Sequence, residues 1–298
     1  MLIYPPGSDI PLRGDLLVRS VLRSDLTPIP QTVEFEVRDT LDSVKIKAGA
    51  VCRVGREGAE FLIVKEHAGG DDGRTQGDRP VKSRQFIGLL SACAPVAEPL
   101  QRSVVRYGSS LGDIYRACGA QVRIDSDFTV SVFACYKGLT PAFEIAKALQ
   151  EEAGALVVVN GRVSFRRLAD MTQDKAVISL KEDSAQAIES GFLERHTVPF
   201  AFSTKADGGF EVGRSESGRG VVYRPRAAPR ILNNLSTALI MRRKLQSSYA
   251  PHIMAGMRVD IAEVPYIVIT AAHVFEAAGD GQEGEQTTRL WLGQVVKS

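Results

Sequence analysis

Every second side chain is apolar in Thr32-Val33-Glu34-Phe35-Glu36-Val37-Arg38, and the same alternation returns in Val51-Cys52-Arg53-Val54 and Phe61-Leu62-Ile63-Val64-Lys65. A period of two puts one face on a core and the other in water, so these segments predict half-buried strands. The turn Thr27-Pro28-Ile29-Pro30 precedes the first of them, and Gly49, Gly55 and Gly58 punctuate the rest. Glycine and proline so placed allow sharp bends, and the block from 15 to 65 predicts a meander curling into a barrel. The stretch Gly69 to Pro80, GGDDGRTQGDRP, has no aliphatic or aromatic residue and predicts a solvated loop, because nothing in it offsets the entropy of ordering. Its acids miss the spacing of a calcium loop, and no metal is assigned to them.

The pattern changes in the middle of the chain. Ser83 to Arg106 keeps a strand-like texture, Leu111 to Ala120 predicts a short helix ending near Gly119, and strands are expected again at Gln121–Ile124 and Phe128–Tyr136. Thr140 as a cap, Pro141 at the first helical position, the stripe Phe143, Ala146 and Leu149, and Gly154 as a stop predict a helix whose polar side carries Glu144, Lys147, Glu151 and Glu152. Ala155–Val159, Asn160-Gly161 and Arg162–Arg166 then spell a hairpin with a two-residue turn. Lys181 to Arg195 has a faint helical period and Val198 to Ser203 alternates. From Asn234 to Tyr249 the apolar residues Leu235, Ala238, Leu239, Leu245 and Tyr249 follow three-four spacing up to Pro251, which predicts a second amphipathic helix with Arg242, Arg243 and Lys244 on its opposite side. Met257–Ile261, Tyr266–Thr270 and Arg289–Leu292 close the chain as strands. Both ends are strand-rich around a mixed centre. The fold class expected is mainly β with α+β character.

At 298 residues the length suggests about two domains, and 44% hydrophobic with 24% charged residues fits a globular protein with a sizeable core. The formal net charge of +2 makes neither nucleic acid nor an anionic membrane the default partner. No run approaches the roughly 18 apolar residues that span a bilayer, and the N-terminal MLIYPPGSDIPLRGD lacks a signal-like apolar stretch, so a cytoplasmic chain without membrane insertion is expected. Cys52, Cys93, Cys118 and Cys135 are too far apart for a paired-cysteine metal or redox motif and are expected as buried thiols.

One string suggests catalysis. Gly108-Ser109-Ser110-Leu111-Gly112 matches the nucleophile-elbow pattern between a strand and a helix, and Asp125, Asp127, His196, His252 and His273 follow in the order a serine hydrolase on Ser110 would need. The competing reading makes Ser110 a turn and helix cap. No metal signature, phosphate loop or dinucleotide fingerprint occurs, and no cofactor is expected. From Lys205 to Leu245 nine basic residues face three acids, a local bias suited to a partner interface or a solvated face more than to nucleic acid.

Three stretches together resemble the baseplate hub proteins of contractile bacteriophage tails, the group of phage late-control D proteins and the N-terminal part of type VI secretion spikes. They are Arg23-Ser24-Asp25-Leu26-Thr27-Pro28-Ile29-Pro30-Gln31-Thr32-Val33-Glu34-Phe35 with Gly49 and Ile63-Val64-Lys65, then Gly138 to Ala146 with Glu152-Ala153-Gly154 and the Asn160-Gly161 hairpin, and finally Leu245 to Pro251 with Gly256-Met257 and Tyr266-Ile267-Val268. The resemblance implies two tube-like β-barrel domains, residues 1–105 and 196–298, flanking a smaller α/β module, residues 106–195. It implies a non-catalytic hub that trimerises and adapts a hexameric tail tube to a three-fold cell-puncturing spike. Its partners would be two further copies of itself, the spike, the tube or a tube-initiator protein and other baseplate proteins, around a lumen that DNA can traverse. Its place would be the virion tail baseplate, assembled in the bacterial host cytoplasm. Arg242, Arg243 and Lys244 are the candidate partner-binding residues.

Overall fold

A computed structural model of the chain describes residues 1–39, 43–76, 79–188, 200–213, 221–225, 227–278 and 284–297. The N-terminal third supplies strands β1 (Ile3–Tyr4), β2 (Leu17–Asp25), β3 (Gln31–Arg38), β4 (Val51–Val54), β5 (Ala59–Gln76) and β6 (Arg79–Leu90). The middle follows as β7 (Val104–Ser110), α1 (Leu111–Ala117), β8 (Ile124–Asp125), β9 (Thr129–Cys135), α2 (Pro141–Glu151), β10 (Gly154–Val159), β11 (Arg162–Arg167), α3 (Leu168–Met171), β12 (Ile178–Leu180) and β13 (Gln186–Ala187). The last part is β14 (Phe200–Thr204), β15 (Phe210–Val212), β16 (Val221–Tyr223), α4 (Pro229–Leu235), β17 (Thr237–Ser248), β18 (Arg258–Ile261), β19 (Val264–Glu276) and β20 (Glu285–Lys297). The fold is mainly β with α+β character, as the alternating patterns predict.

The two strand-rich ends do not close into separate barrels. They share one 12-stranded sheet, ordered β1-β4-β5-β6-β3-β2-β19-β20-β17-β13, with β12 and β18 attached beside β19. The join is the antiparallel pairing of Arg19–Asp25 with Thr270–Glu276. An unpaired edge on β2 or β19 would leave a row of backbone donors and acceptors open, and pairing the ends with each other satisfies both rows.

The inner face of this seam is polar and yet buried. Ser20, Ser24, His273 and Thr288 are all shielded from solvent. The segment from Tyr249 to Met257 covers them: Ala250 N donates to Thr288 Oγ1 at 2.8 Å, Ala255 N donates to Ser24 Oγ at 3.1 Å, and Tyr249 stands edge-on to the His273 ring. His273 Nδ1 lies 3.1 Å from the same Thr288 hydroxyl. Gly256, at φ 87°, brings this segment so near Val157 that a Cβ there would clash with its side chain. Here glycine is required by both conformation and space.

In the middle module Ser110 caps α1, and the fully buried Tyr115 donates its hydroxyl to Pro28 O at 2.7 Å, fastening the helix to the N-terminal prolyl turn. The strand expected over Gln121–Ile124 is reduced to Ile124–Asp125. Helix α2 matches its prediction in extent, but its buried residues are Pro141, Ile145, Ala148 and Leu149, while Phe143 is exposed. Thr140 holds the cap position without a side-chain hydrogen bond. The Asn160-Gly161 turn, φ 49° and 74°, joins β10 to β11 as expected. At the end of α2, Glu152 is buried and receives Arg230 of α4 through two bonds, at 2.6 and 2.7 Å, and Arg167 at 2.9 Å. Burial pushes this carboxyl up, but the two guanidinium groups outweigh that and hold it below the usual range. The contact ties the middle module to the last third of the chain.

Three further expectations are corrected. The Gly69–Pro80 loop is instead the far end of a long ribbon, with Asp71 opposite Lys82, Thr75 opposite Pro80 and Gln76 opposite Arg79. Strand pairing is made by backbone groups, so the absence of apolar residues does not prevent it. The helix expected over Asn234–Tyr249 is a short helix ending at Leu235 followed by strand β17, which pairs along its length with β20. Leu239 lies four residues after Leu235 and six before Leu245, even spacings that a period of two also accommodates, and the available partner strand decides. Of the faint helix over Lys181–Arg195 the structure has a single 3-10 turn at Glu182–Ser184 and then β13, and 189–195 lie outside the described residues.

Two stability effects follow. Burial lowers the His273 pKa to about 4 from 6.5, so the unfolded chain binds a proton that the folded chain refuses between these values. Stability should therefore fall by about 3 kcal/mol as pH drops from about 6.5 to about 4, and denaturant unfolding of His273→Gln should lack that component. Glu152→Gln should lower stability at pH 7 by about 1–2 kcal/mol, since Arg167 and Arg230 are half-exposed and regain water when released. Chemical unfolding of the variant checks this.

Candidate functional site

Ser110 is the residue on which a hydrolase reading depends, and its hydroxyl is already committed. It donates to Asp113 Oδ2 at 2.8 Å and accepts from Asp113 N at 3.1 Å, the reciprocal arrangement of a helix cap. Asp127 is equally occupied: Leu111 N, Gly112 N and Phe128 N all donate to its carboxylate, at 2.9, 3.0 and 2.7 Å. Asp125 lies within 3.9 Å of Arg123 and Arg162. His273 is buried in the seam against Thr288, His252 is exposed on the segment that covers the seam, and His196 lies outside the described residues. Among the described residues no histidine bonds to Ser110. A serine nucleophile needs a base within hydrogen-bond reach, and Ser110 has a carboxylate that holds it as a cap instead. Among the described residues nothing supports the hydrolase reading, and Ser110 is a helix cap.

The cysteines and the charged residues of the main cleft are also in structural use. All four cysteines are buried and unpaired. Burial pushes Cys52 and Cys93 up to about 12 and Cys118 up to about 11, so these thiols stay protonated and unreactive near neutral pH. The cleft around Asp125, Asp127, Arg166 and Asp170 has a charged lining, but Arg166 is held by Asp174 in two bonds, at 2.5 and 2.9 Å, and Arg167 by Glu152. Among the described residues no three His, Cys, Asp or Glu side chains converge to hold a metal ion.

Among its described residues, the basic stretch from 205 to 245 has part of its charge taken up in ion pairs. Lys205 pairs with Glu211 at 3.4 Å, Arg230 is drawn onto Glu152, and Arg214, Arg219 and Arg226 lie outside the described residues. The triplet Arg242, Arg243 and Lys244 sits on β17, where a bulge between Met241 and Arg243 interrupts the pairing with β20. Arg243 pairs with Glu182 and lies 3.5 Å from the Tyr266 hydroxyl. Lys244 stands over the Trp291 ring at 5.7 Å and is exposed. A strand, not a helix, presents the triplet.

Sequence reasoning missed Glu152, which was placed on a polar helix side, and the exposed apolar ribbon of β7 and β9. A carboxylate at a helix end gives no sign that two distant arginines will enclose it. Val105, Tyr107 and Val132 read as ordinary strand residues until the sheet is known to have two strands among the described residues.

No protein-family model matches the sequence, and no curated protein matches it. Solved structures do resemble it. A tail protein from Neisseria meningitidis superposes with a TM-score of 0.65 at 9% identity, over 98% of this chain and 95% of that one. The 43 kDa tail protein of prophage MuSo2 from Shewanella oneidensis gives 0.62 at 12% identity, over 98% and 96%. An Escherichia coli component of the type VI secretion system, itself described as structurally similar to T4 bacteriophage tail proteins, gives 0.57 at 7% identity, over 100% of this chain and 77% of that one. Along nearly its whole length, then, this chain has the fold of phage tail proteins and type VI secretion components.

Proposed function

We propose that this chain is a structural hub of a contractile-tail baseplate, non-catalytic, which trimerises and adapts a hexameric tail tube to a three-fold spike. The observation that carries the reading is the full-length match to tail proteins of nearly the same extent, 98% of this chain against 95% and 96% of theirs. The order of hub-like stretches in the sequence supports it independently. On this reading residues 1–105 and 196–298 are the two tube-like parts, 106–195 the α/β module, and three copies with two parts each meet a six-fold tube. A closed ring of this kind uses heterologous contacts, in which one surface meets a different surface of the next copy. The partners are the spike, the tube or its initiator and other baseplate proteins, in the virion tail.

The commitment of Ser110, Asp127 and the four thiols to structural roles fits a protein without chemistry of its own. Native mass spectrometry of the purified chain, alone and with the spike protein, should give a three-copy assembly in at least the second case; a single-chain mass in both would overturn the proposal. For the basic triplet, Lys244→Gln should change unfolding free energy by less than about 0.5 kcal/mol while weakening docking to spike or tube. Unchanged docking would remove the triplet from the partner surface.

A further inference from the structure

The segment from Tyr249 to Met257 crosses the inner face of the seam as turns, outside any strand. Ala250 N fastens it to Thr288 and Ala255 N to Ser24. At its far end Gly256 N donates to Val268 O at 2.8 Å, and Val268 N donates to Met257 O at 2.9 Å. Beneath it His273 is fully buried, and its Nε2 has no hydrogen-bond partner among the described residues. Ser20 Oγ is buried and unpartnered in the same way. Turns fastened at a few points open more readily than the ladder under them, and opening gives water to both orphaned groups.

Among the described residues no counter-charge faces this ring. The covering segment brings Tyr249, whose hydroxyl burial pushes above its usual range and so keeps neutral in acid, and the exposed His252, which becomes a second cation when protonated. Strand β2 brings the hydroxyls of Ser20 and Ser24, and β20 that of Thr288. Side chains alternate across a strand, so the charged residues of the three paired stretches, Arg19, Arg23, Asp25, Glu276, Glu285 and Arg289, take the opposite face. The middle module meets the segment through Val157, which has no charge. Burial disfavours a proton on His273 most strongly; the Ile253 backbone works against that effect, and His252 adds to it. One backbone dipole does not replace the hydration of a cation, so a proton on the ring calls for water that movement of the cover admits.

We propose that the segment from Tyr249 to Met257 is a proton-released strap: charging His273 lifts it off the seam while the ladder of β2, β19 and β20 stays paired. Lifting withdraws the buried side chains of Ile253 and Ala255 from the sheet and ends the close approach of Gly256 to Val157. The same event therefore loosens the middle module from the joined sheet.

Hydrogen exchange of the full-length chain, followed by mass spectrometry at about pH 7 and about pH 4 with the intrinsic amide rates divided out, reads strap and ladder separately. With the ring titrating at about 4 when covered and at 6.5 when open, strap opening should rise about a hundredfold between those conditions, while residues 19–25 and 270–276 keep their protection. His273→Gln should lose most of that rise. Nuclear magnetic resonance of the histidine-labelled wild-type chain gives a second reading that needs no variant: the His273 ring should titrate at about 4, and the Ala250 and Ala255 amide signals should follow it. Unchanged strap exchange, simultaneous loss of strap and ladder protection, or an equal rise in the variant would each overturn the proposal. So would a ring that titrates at 6.5, or amide signals that do not follow the ring.

Discussion

Residues 19–25 and 270–276 form one antiparallel ladder, and most of the architecture depends on it. Without it the chain would have two smaller sheets with exposed long edges; with it the sheet runs through 12 strands. Arg19 meets Glu276 across the ladder at 3.2 Å, and Thr270 donates to Asp25 at 2.5 Å. Closing a loop of such length costs only slightly more than closing a shorter one, because the entropy grows with the logarithm of length. What decides whether the ends meet is the quality of the contact they make. Here the buried hydroxyls of Ser24 and Thr288 take backbone donors from the covering segment, so neither the sheet nor the segment is left with those groups unsatisfied.

The polar side chains that the sequence offers as candidates for chemistry have structural partners. His273, the most buried histidine described, is a packing and hydrogen-bonding element of the ladder. Ser110 and Asp127 serve the first turn of α1, whose backbone donors have no partner within the helix. Glu152 serves the junction with α4. In each case a polar side chain that could have been reactive is held by a structural partner. On the surface, Tyr107 and Val132 of the β7–β9 ribbon stay exposed.

The order of strand-rich end, mixed centre and strand-rich end was legible in the letters, as were α1, α2, the Asn160-Gly161 hairpin, the buried cysteines and the resemblance to tail hubs. These depend on local causes: period, capping residues, a proline at the first helical turn, a glycine able to take positive φ. The sequence alone could not decide β17, since Leu239 and Leu245 suit a helical stripe as well as a strand, and only the presence of β20 alongside turns them into a strand. Nor could it decide that Gly69–Pro80 pairs as a ribbon, since backbone hydrogen bonds leave no trace in side-chain polarity. Tertiary structure likewise decided that the ends join as one sheet, that Glu152 is enclosed by Arg167 and Arg230, and that the face of Tyr107 and Val132 is left open. All three are relations between residues far apart in the chain, and a pattern along the chain carries only the preferences of each segment, not which other segment will be there to meet it.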